Sequence, residues 1–191
     1  EMASVMNTIP TTEEGNAFDP HFWLDPKLAK AEIALIRDTL MDADPANAKA
    51  YAANAAAYTE TLAKIDAAYE TGLSACKNPT VVTSHAALAY VAKEYGFDVI
   101  SIAGLSPDEE PSAGRLAEIA AMVKAKKIGY IYFETLVSPK LAQTIAEEVG
   151  AQTLVFNPLE GLTEEETAAG KTYVSVMEEN LANLKTGMMC E

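Results

Sequence analysis

The sequence predicts an α/β fold: a four-stranded parallel sheet lobe flanked by helices, preceded by a long linking helix and a partial N-terminal lobe. From residue 78 onward, short apolar runs alternate with amphipathic helices, which is typical of buried parallel strands joined by crossover helices. Ahead of them, an Ala-rich helical run of roughly thirty residues would span about 45 Å, longer than a small domain needs. The chain therefore divides into residues 1–44, 45–77 and 78–191.

The first part, residues 1–44, holds one predicted helix and no matching set of strands. Residues 1–18 lack periodicity and are predicted to be loop and strand remnant. From Pro26 to near Asp44, apolar residues recur every three or four positions, which indicates an amphipathic helix with a proline in its first turn. We interpret residues 1–44 as the remnant of an N-terminal lobe.

The second and third parts are predicted to be the linking helix and a complete α/β lobe. The helix runs from Pro45 to about Cys76, with apolar and aromatic residues along one side, and its length suits a strut between two lobes. In the lobe, continuously apolar runs predict four strands, at residues 80–83, 98–103, 128–133 and 153–156. Periodic runs predict the helices that follow them, near residues 86–95, 112–127, 138–149 and 164–185.

Charge and composition narrow the classes of function. Twenty-eight acidic residues against fourteen basic ones give a formal charge of −14, which repels nucleic acid and anionic lipid. With 49% apolar and 22% charged residues, the chain can fill a core and should be globular. No run approaches the roughly 18 apolar residues needed to cross a bilayer.

The two cysteines, Cys76 and Cys190, are too far apart for a CxxC metal or redox motif. A disulfide between them would tie the C-terminal tail to the end of the linking helix and would imply an oxidising, extracytoplasmic compartment. Two unrelated free thiols are the alternative. The sequence favours the disulfide without excluding the thiols.

Candidate ligand-binding residues follow the predicted strands. In open α/β sheets, ligands bind at the carboxyl ends of the strands, where this chain has His85, Glu134 and Glu160. The other histidine, His21, lies in a stiff Pro-rich and aromatic stretch ahead of a helix. Imidazole and carboxylate donors suit zinc, manganese or iron. Each residue alone has a structural explanation, His85 as a cap or core residue and Glu160 as a surface acid, so the prediction depends on their convergence.

Enzymatic interpretations have little support in the sequence. It contains no GxGxxG, P-loop, GxSxG or HExxH motif. Acidic clusters at residues 109–110 and 164–166 lie in a turn or at a helix start, where acids interact favourably with the helix dipole. A metal-dependent hydrolase would need a water-activating base, for which Glu134 is the obvious candidate.

Three segments together resemble the metal-binding substrate-binding proteins of ABC transporters, the group that carries zinc or manganese. They are DPHFWLDP (19–26), VTSHAALAY with AKEYG (82–96), and NPLEGLT (157–163) ahead of YVSVMEENL (173–181). The motifs occur in order, at compatible spacing, and cover nearly the whole chain. They are most similar to the Gram-positive zinc-binding lipoprotein branch.

The resemblance implies two α/β lobes joined by a long helix, with the metal in the cleft between them. It implies His21, His85 and Glu160 as metal ligands, and His85 favours Zn²⁺ over the alternative Mn²⁺ by adding a nitrogen donor. A manganese or iron carrier of the same fold is the alternative within the class of binding proteins. The expected function is capture of Zn²⁺ outside the cytoplasm, at the cell surface or in the periplasm, and delivery to an ABC transporter permease, without catalysis. Membrane contact is expected only through a lipid anchor or the permease. A surface adhesin is a further class, which no residue here supports.

The sequence also departs from this family. The family's first ligand is a histidine in the N-terminal lobe, and no histidine precedes His21. We interpret this as truncation, because most of that lobe and any signal segment are missing too. Three of four ligands should bind metal more weakly than the full set. The His-rich loop of many zinc relatives is also absent, and residues 11–16 carry acids instead.

Overall fold

The computed structural model describes residues 9–10 and 18–191, and it has the predicted α/β class. The helices are α1 (Pro26–Ala43), α2 (Ala48–Leu73), α3 (Ala89–Tyr95), α4 (Ala113–Lys126), α5 (Lys140–Val149), α6 (Glu164–Ala168) and α7 (Tyr173–Met188). The strands are β1 (Thr80–Thr83), β2 (Asp98–Ser101), β3 (Tyr130–Phe133) and β4 (Gln152–Val155). Short 3₁₀ turns cover His21–Leu24 and Pro45–Asn47.

Helices α1 and α2 pack against each other ahead of the sheet. The Asp25 side chain caps α1 by accepting a hydrogen bond from Lys27 N, with Pro26 in the first turn as predicted. The predicted loop and strand remnant lies largely outside the described residues, apart from an antiparallel bridge between Pro10 and Phe18. Helix α2 has 26 residues, about 39 Å, and its second half packs against α7. Its use as a link between lobes stays a prediction.

The four predicted strands form two parallel pairs. Thr80 lies opposite Asp98 in the first pair, and Tyr130 lies opposite Gln152 in the second. β1 lies beside β3, so the strand order is β2, β1, β3, β4. Backbone ladders join the strands within each pair, and the Ser84 hydroxyl donates to Tyr132 O at 3.4 Å across the centre. The carboxyl ends of β1 and β3 are therefore neighbours.

Two helix predictions need correction. α3 begins at Ala89 instead of residue 86, because residues 84–88 form the loop that carries His85. The single helix predicted over residues 164–185 is two helices, α6 and α7. Gly170 adopts φ 70° between them, and Thr172 starts α7 with its own capping box. The glycine and the new capping box therefore end one helix and begin another, although the helical periodicity of the sequence continues through them.

The sheet is covered on both faces. One hydrophobic cluster, between the sheet and helices α2, α3 and α7, contains Leu62, Tyr69, Val81, Val91 and Met177. The other, against α4 and α5, contains Val82, Ile119, Val123, Ile131 and Ile145. Adjacent residues of β1 enter opposite clusters, as the alternation of strand side chains requires. Among the described residues, no helix is both long and apolar enough to cross a membrane.

Cys76 and Cys190 form a disulfide, which confirms the favoured prediction. Backbone hydrogen bonds surround the bridge, from Lys77 N to Met189 O and from Glu191 N to Ala75 O. The end of α7 is thereby fixed to the segment between α2 and β1. This junction lies at the amino end of β1, opposite the end that carries His85.

Candidate metal centre

His21 and His85 are placed by two different elements at the carboxyl edge of the sheet. His85 follows β1, and its carbonyl accepts a hydrogen bond from the Thr83 hydroxyl at 2.8 Å. His21 begins the 3₁₀ turn that leads into α1. The two residues are 1% and 0% exposed, respectively. Both imidazoles are therefore held in fixed surroundings inside the protein.

The three predicted donor residues meet at this edge. His21 Nε2 lies 3.2 Å from His85 Nε2 and 3.2 Å from Glu160 Oε1. His85 Nε2 lies 3.4 Å from the same Glu160 oxygen. The Glu160 side chain is 29% exposed, so the triangle is buried on the histidine side and open to solvent on the glutamate side. Among the residues that the structure describes, this is the one group of three or more such side chains whose donor atoms could hold a metal.

The triangle has the dimensions of one face of a zinc tetrahedron. Zn–N and Zn–O bonds of about 2.0–2.1 Å at tetrahedral angles place neighbouring donors about 3.3 Å apart. The three observed separations of 3.2, 3.2 and 3.4 Å match that edge length. The donor set thus fits a zinc ion with the fourth coordination position left to another donor.

Each histidine is oriented by one buried carboxylate. Both Glu134 oxygens lie 2.7 Å from His85 Nδ1, and Oε1 also accepts from the His85 backbone N–H at 3.1 Å. Asp19 Oδ1 accepts in the same way from the His21 backbone N–H at 2.9 Å and lies 2.7 Å from His21 Nδ1. Such carboxylate–histidine pairs fix the ring orientation and the tautomer of metal-binding histidines.

These contacts determine which nitrogen faces the centre of the triangle. A neutral imidazole that donates Nδ1–H to a carboxylate presents a bare lone pair at Nε2. Two such lone pairs and the Glu160 carboxylate then converge with no hydrogen between them. Three acceptors at 3.2–3.4 Å repel one another unless a cation lies among them. Either a proton or a metal ion among the three acceptors would therefore relieve this repulsion.

The same surroundings change the proton affinity of His85. Burial alone disfavours the charged imidazolium, but the hydrogen bond and charge of Glu134, with the charge of Glu160, outweigh burial and raise the pKa of His85. Without metal, a proton is thus attracted to the position that a cation would take. Metal and proton compete for this position.

The loop that carries Glu160 is fixed by side chains from distant parts of the chain. Trp23 Nε1 donates to Pro158 O at 2.9 Å, and the Tyr173 hydroxyl donates to Trp23 O at 2.7 Å. Asn157 and Asn180 bond to each other inside the protein. The segment with His21 and the loop with Glu160 are therefore braced against each other.

The sequence pattern indicated His21, His85 and Glu160 as candidate donors but gave no role to Asp19. It placed Glu134 at the same edge of the sheet, as a candidate water-activating base, and did not indicate that Glu134 holds His85. The structure brings Glu134 to His85 because β1 and β3 are neighbours. The Asp-Pro-His spacing, two residues from carboxylate to imidazole, was the available signal for Asp19. The acids at residues 109–110 and 164–165 stay outside the triangle, as predicted for structural acids.

Comparison with known proteins gives one matching family. Residues 3–187 match the family model of ZnuA, the periplasmic component A of a zinc-uptake complex. Over 175 residues the chain is 51% identical to the zinc-binding lipoprotein AdcA of Streptococcus pneumoniae. This alignment covers 91% of the chain and 35% of that relative, so the chain spans about a third of its length.

Two solved structures are similar along almost the whole chain. The Zn(II)-bound ZnuA-like domain of Streptococcus pneumoniae AdcA matches with a TM-score of 0.83 and 48% identity, covering 98% of this chain and 69% of that one. The laminin-binding protein Lmb of Streptococcus agalactiae, described as having adhesin and metal-transporting activity, matches with a TM-score of 0.87 and 31% identity, covering 98% and 70%. The α/β architecture and the site thus occur in a chain that is similar to metal-transporting proteins.

Proposed function

The chain belongs to the ZnuA family of zinc-uptake components, and from this membership we propose that it is an extracytoplasmic solute-binding protein for zinc. In this proposal it captures Zn²⁺ with His21, His85 and Glu160 and delivers the ion to the permease of an ABC transporter. The ion is cargo and leaves chemically unchanged.

One observation carries the proposal: three lone-pair donors converge at tetrahedral-edge distances with their orienting carboxylates already in place. His21 Nε2, His85 Nε2 and Glu160 Oε1 lie within 3.4 Å of one another. Asp19 and Glu134 hold the rings before any ion arrives, so binding costs little side-chain rearrangement. With three carboxylates and neutral imidazoles, the site carries a formal charge of −3 that a dication partly neutralises.

The donor set favours zinc over the manganese alternative. Two of the three donors are imidazole nitrogens, which suit zinc, whereas manganese prefers carboxylate, carbonyl and water oxygens. A Glu residue in place of His85 would shift the balance towards manganese. The Zn(II)-bound state of the similar AdcA domain supports the same preference.

Binding without catalysis is the interpretation that the contacts favour. A metal-dependent hydrolase needs a carboxylate that is free to take a proton from bound water. Both Glu134 oxygens lie at His85 Nδ1, and Asp19 Oδ1 lies at His21 Nδ1. These carboxylates are engaged in holding the histidines. We therefore propose transport and no turnover.

The proposed extracytoplasmic location has two supports. The Cys76–Cys190 disulfide suits an oxidising compartment, since cytosolic thiols are usually kept reduced. The family model describes a periplasmic component, and the relative AdcA is named a lipoprotein. The proposed permease partner is supported by the uptake complex that the family name describes.

Calorimetric titration of the metal-free chain with Zn²⁺, and separately with Mn²⁺, tests this proposal. We expect one zinc per chain, bound more tightly than manganese. His85→Ala should weaken zinc binding by about a hundred- to a thousandfold, because roughly 10–16 kcal/mol of zinc binding is shared among about four ligands. Glu165→Ala, at an exposed acid of α6, serves as the control and should bind as the parent does.

Two results would contradict the proposal. Zinc binding that survives His85→Ala unchanged would place the ion elsewhere on the acidic surface. Tighter binding of manganese than of zinc would favour the manganese carrier.

A further inference from the structure

We propose that Asn157 is a positioning residue, which holds the Glu160 carboxylate at the metal through a buried polar network. The inference rests on the proposed zinc-binding function and assigns a residue that touches neither the ion nor the histidines. Asn157 lies three residues before Glu160 and two residues after the end of β4. Its contacts set the path of the loop between them.

All the hydrogen-bonding groups of Asn157 are used inside the protein. Its backbone N–H donates to Asn180 Oδ1 at 2.9 Å, and its carbonyl accepts from Asn180 Nδ2 at 2.7 Å. Its side-chain Oδ1 accepts from Leu159 N at 2.8 Å, and its Nδ2 donates to Glu166 Oε1 at 3.0 Å. Asn157 and Asn180 are 3% and 2% exposed. Asn157, which follows β4, thus links α7, α6 and the loop itself.

Glu166 anchors the other side of this network. Its Oε2 accepts from Thr163 N at 2.9 Å, closing the capping box that begins α6, while its Oε1 accepts from Asn157. Asn157 and Thr163 bracket Glu160 at equal distances of three residues. Both ends of the seven-residue segment are therefore tied to one buried carboxylate.

The middle of the segment has an uncommon backbone conformation. Leu159 adopts φ 57°, in the left-handed region that a branched aliphatic residue rarely occupies. The Asn157 side chain accepts from the Leu159 backbone, and Trp23 Nε1 donates to the carbonyl of Pro158. Leu159, like Trp23 and Tyr173, packs against the hydrophobic cluster that contains Leu62 and Tyr69. These contacts hold the turn that directs the next residue, Glu160, towards the histidines.

Glu160 depends on this support more than the histidines would. It is 29% exposed and lies on a loop, whereas each imidazole is held by its own carboxylate. Loss of the Asn157 contacts would let Leu159 relax to the common φ < 0 region and would move the carboxylate from its position. The ligand would remain in the sequence but its distance to the ion would change.

The first test compares Asn157→Ala with the parent in zinc titrations, with Asn54→Ala at an exposed position of α2 as the matched control. We expect Asn157→Ala to bind zinc about 10- to 100-fold more weakly, the range typical of residues that support metal ligands. In a Glu160→Gln background the same substitution should cause almost no further loss, because the charged ligand that Asn157 positions is gone. A purely structural effect would persist in that background.

A second test exchanges the amide and the carboxylate between positions 157 and 166, which keeps the hydrogen bond between them with side chains of the same size. Asn157→Asp alone places a carboxylate against that of Glu166 and should weaken zinc binding. Adding Glu166→Gln restores the hydrogen bond in the reverse direction, because the amide introduced at position 166 can donate to the carboxylate introduced at position 157. The double variant keeps the net charge of the parent. We expect this double variant to recover affinity to within about threefold of the parent. Because both changes are isosteric, this pair also serves if Asn157→Ala fails to fold.

The outcomes separate the inference from the proposed function. Parental affinity in Asn157→Ala, or an undiminished loss in the Glu160→Gln background, would overturn the positioning role while leaving zinc binding intact. Failure of the exchanged pair to recover would also count against it. A parent chain that binds no zinc, or binds it equally well after Glu160→Gln, would overturn the proposed ligand set and this inference together.

Discussion

The candidate site consists of two halves that are held by different means. The histidine half is buried, and each ring is bonded directly to a carboxylate; it comprises Asp19, His21, His85 and Glu134. The glutamate half is a partly exposed loop held through its backbone; it comprises residues 157–163 with Glu166 and Asn180. The first half controls protonation of the donors, whereas the second controls distance. Disturbing each should therefore leave a different signature in zinc binding.

The largest effect is expected from pH, which acts on the histidine half. Zinc requires neutral imidazoles, and the pKa of His85 is raised from its ordinary value of 6.5, so protons begin to compete with zinc above that pH. Below the raised pKa, affinity should fall by about tenfold per pH unit for each proton displaced. Titrations between pH 8 and pH 5 measure this. A flat profile would show that the histidines do not bind the ion.

The metal-free protein should show the opposite dependence in its stability. A raised folded-state pKa stabilises the protein below the unfolded pKa of about 6.5, and this contribution is lost as pH rises through the raised value. In the presence of chelator, the melting temperature should therefore lose this contribution above pH 6.5. In the presence of zinc, the melting temperature should rise over the same pH range. Parallel pH profiles with and without zinc would contradict this reasoning.

Glu134→Gln sharpens the comparison, because it removes the charge behind His85 while keeping the size of the side chain. We expect zinc affinity to fall by about 10- to 100-fold, and the midpoint of its pH profile to move to lower pH as the His85 pKa falls. Zinc titrations across the same pH range measure both effects.

The control for this substitution is Glu147→Gln, at an exposed acid of α5. Asn157→Ala provides the contrast, since it should weaken binding at every pH and move the midpoint less. An identical shift of the midpoint in Glu134→Gln and Asn157→Ala would show that the two halves do not act independently on zinc binding.

The smallest effect on zinc affinity is expected from breaking the disulfide. Cys76→Ser with Cys190→Ser should lower the free energy of unfolding by about 2–5 kcal/mol, because the bridge closes a loop with a sequence separation of 114. Zinc affinity should stay within about twofold of the parent, since the bridge lies at the other end of β1. Denaturant unfolding of the metal-free proteins and zinc titration measure the two quantities. A large loss of affinity would mean that the site depends on the opposite edge of the sheet.

Much of this architecture could be predicted from local pattern. Apolar runs located the strands to within two residues at every end, and helix periodicity with Asp25-Pro26 located α1. The three donors could be found because the motifs around them resemble a known family, and the carboxyl edge of a parallel sheet brings them together. Their binding of metal stays a prediction.

The supporting contacts could not be predicted in the same way. Glu134 reaches His85 across a sequence separation of 49, and Asn180 reaches Asn157 across 23. Such pairs depend on strand order and on where α7 packs, which no local pattern contains. The break between α6 and α7 was missed because the helical periodicity continues through it. The Thr172 cap after Gly170 was the available signal.

The position of Glu191 has a practical consequence. Its backbone N–H donates to Ala75 O beside the disulfide, so Glu191 is fixed at the edge of the sheet away from the donors. A fluorophore or a sensor surface attached at Glu191 would therefore project away from His21, His85 and Glu160. Immobilisation through this residue would leave the chains in one orientation, with the partly exposed Glu160 side of the candidate site facing solution.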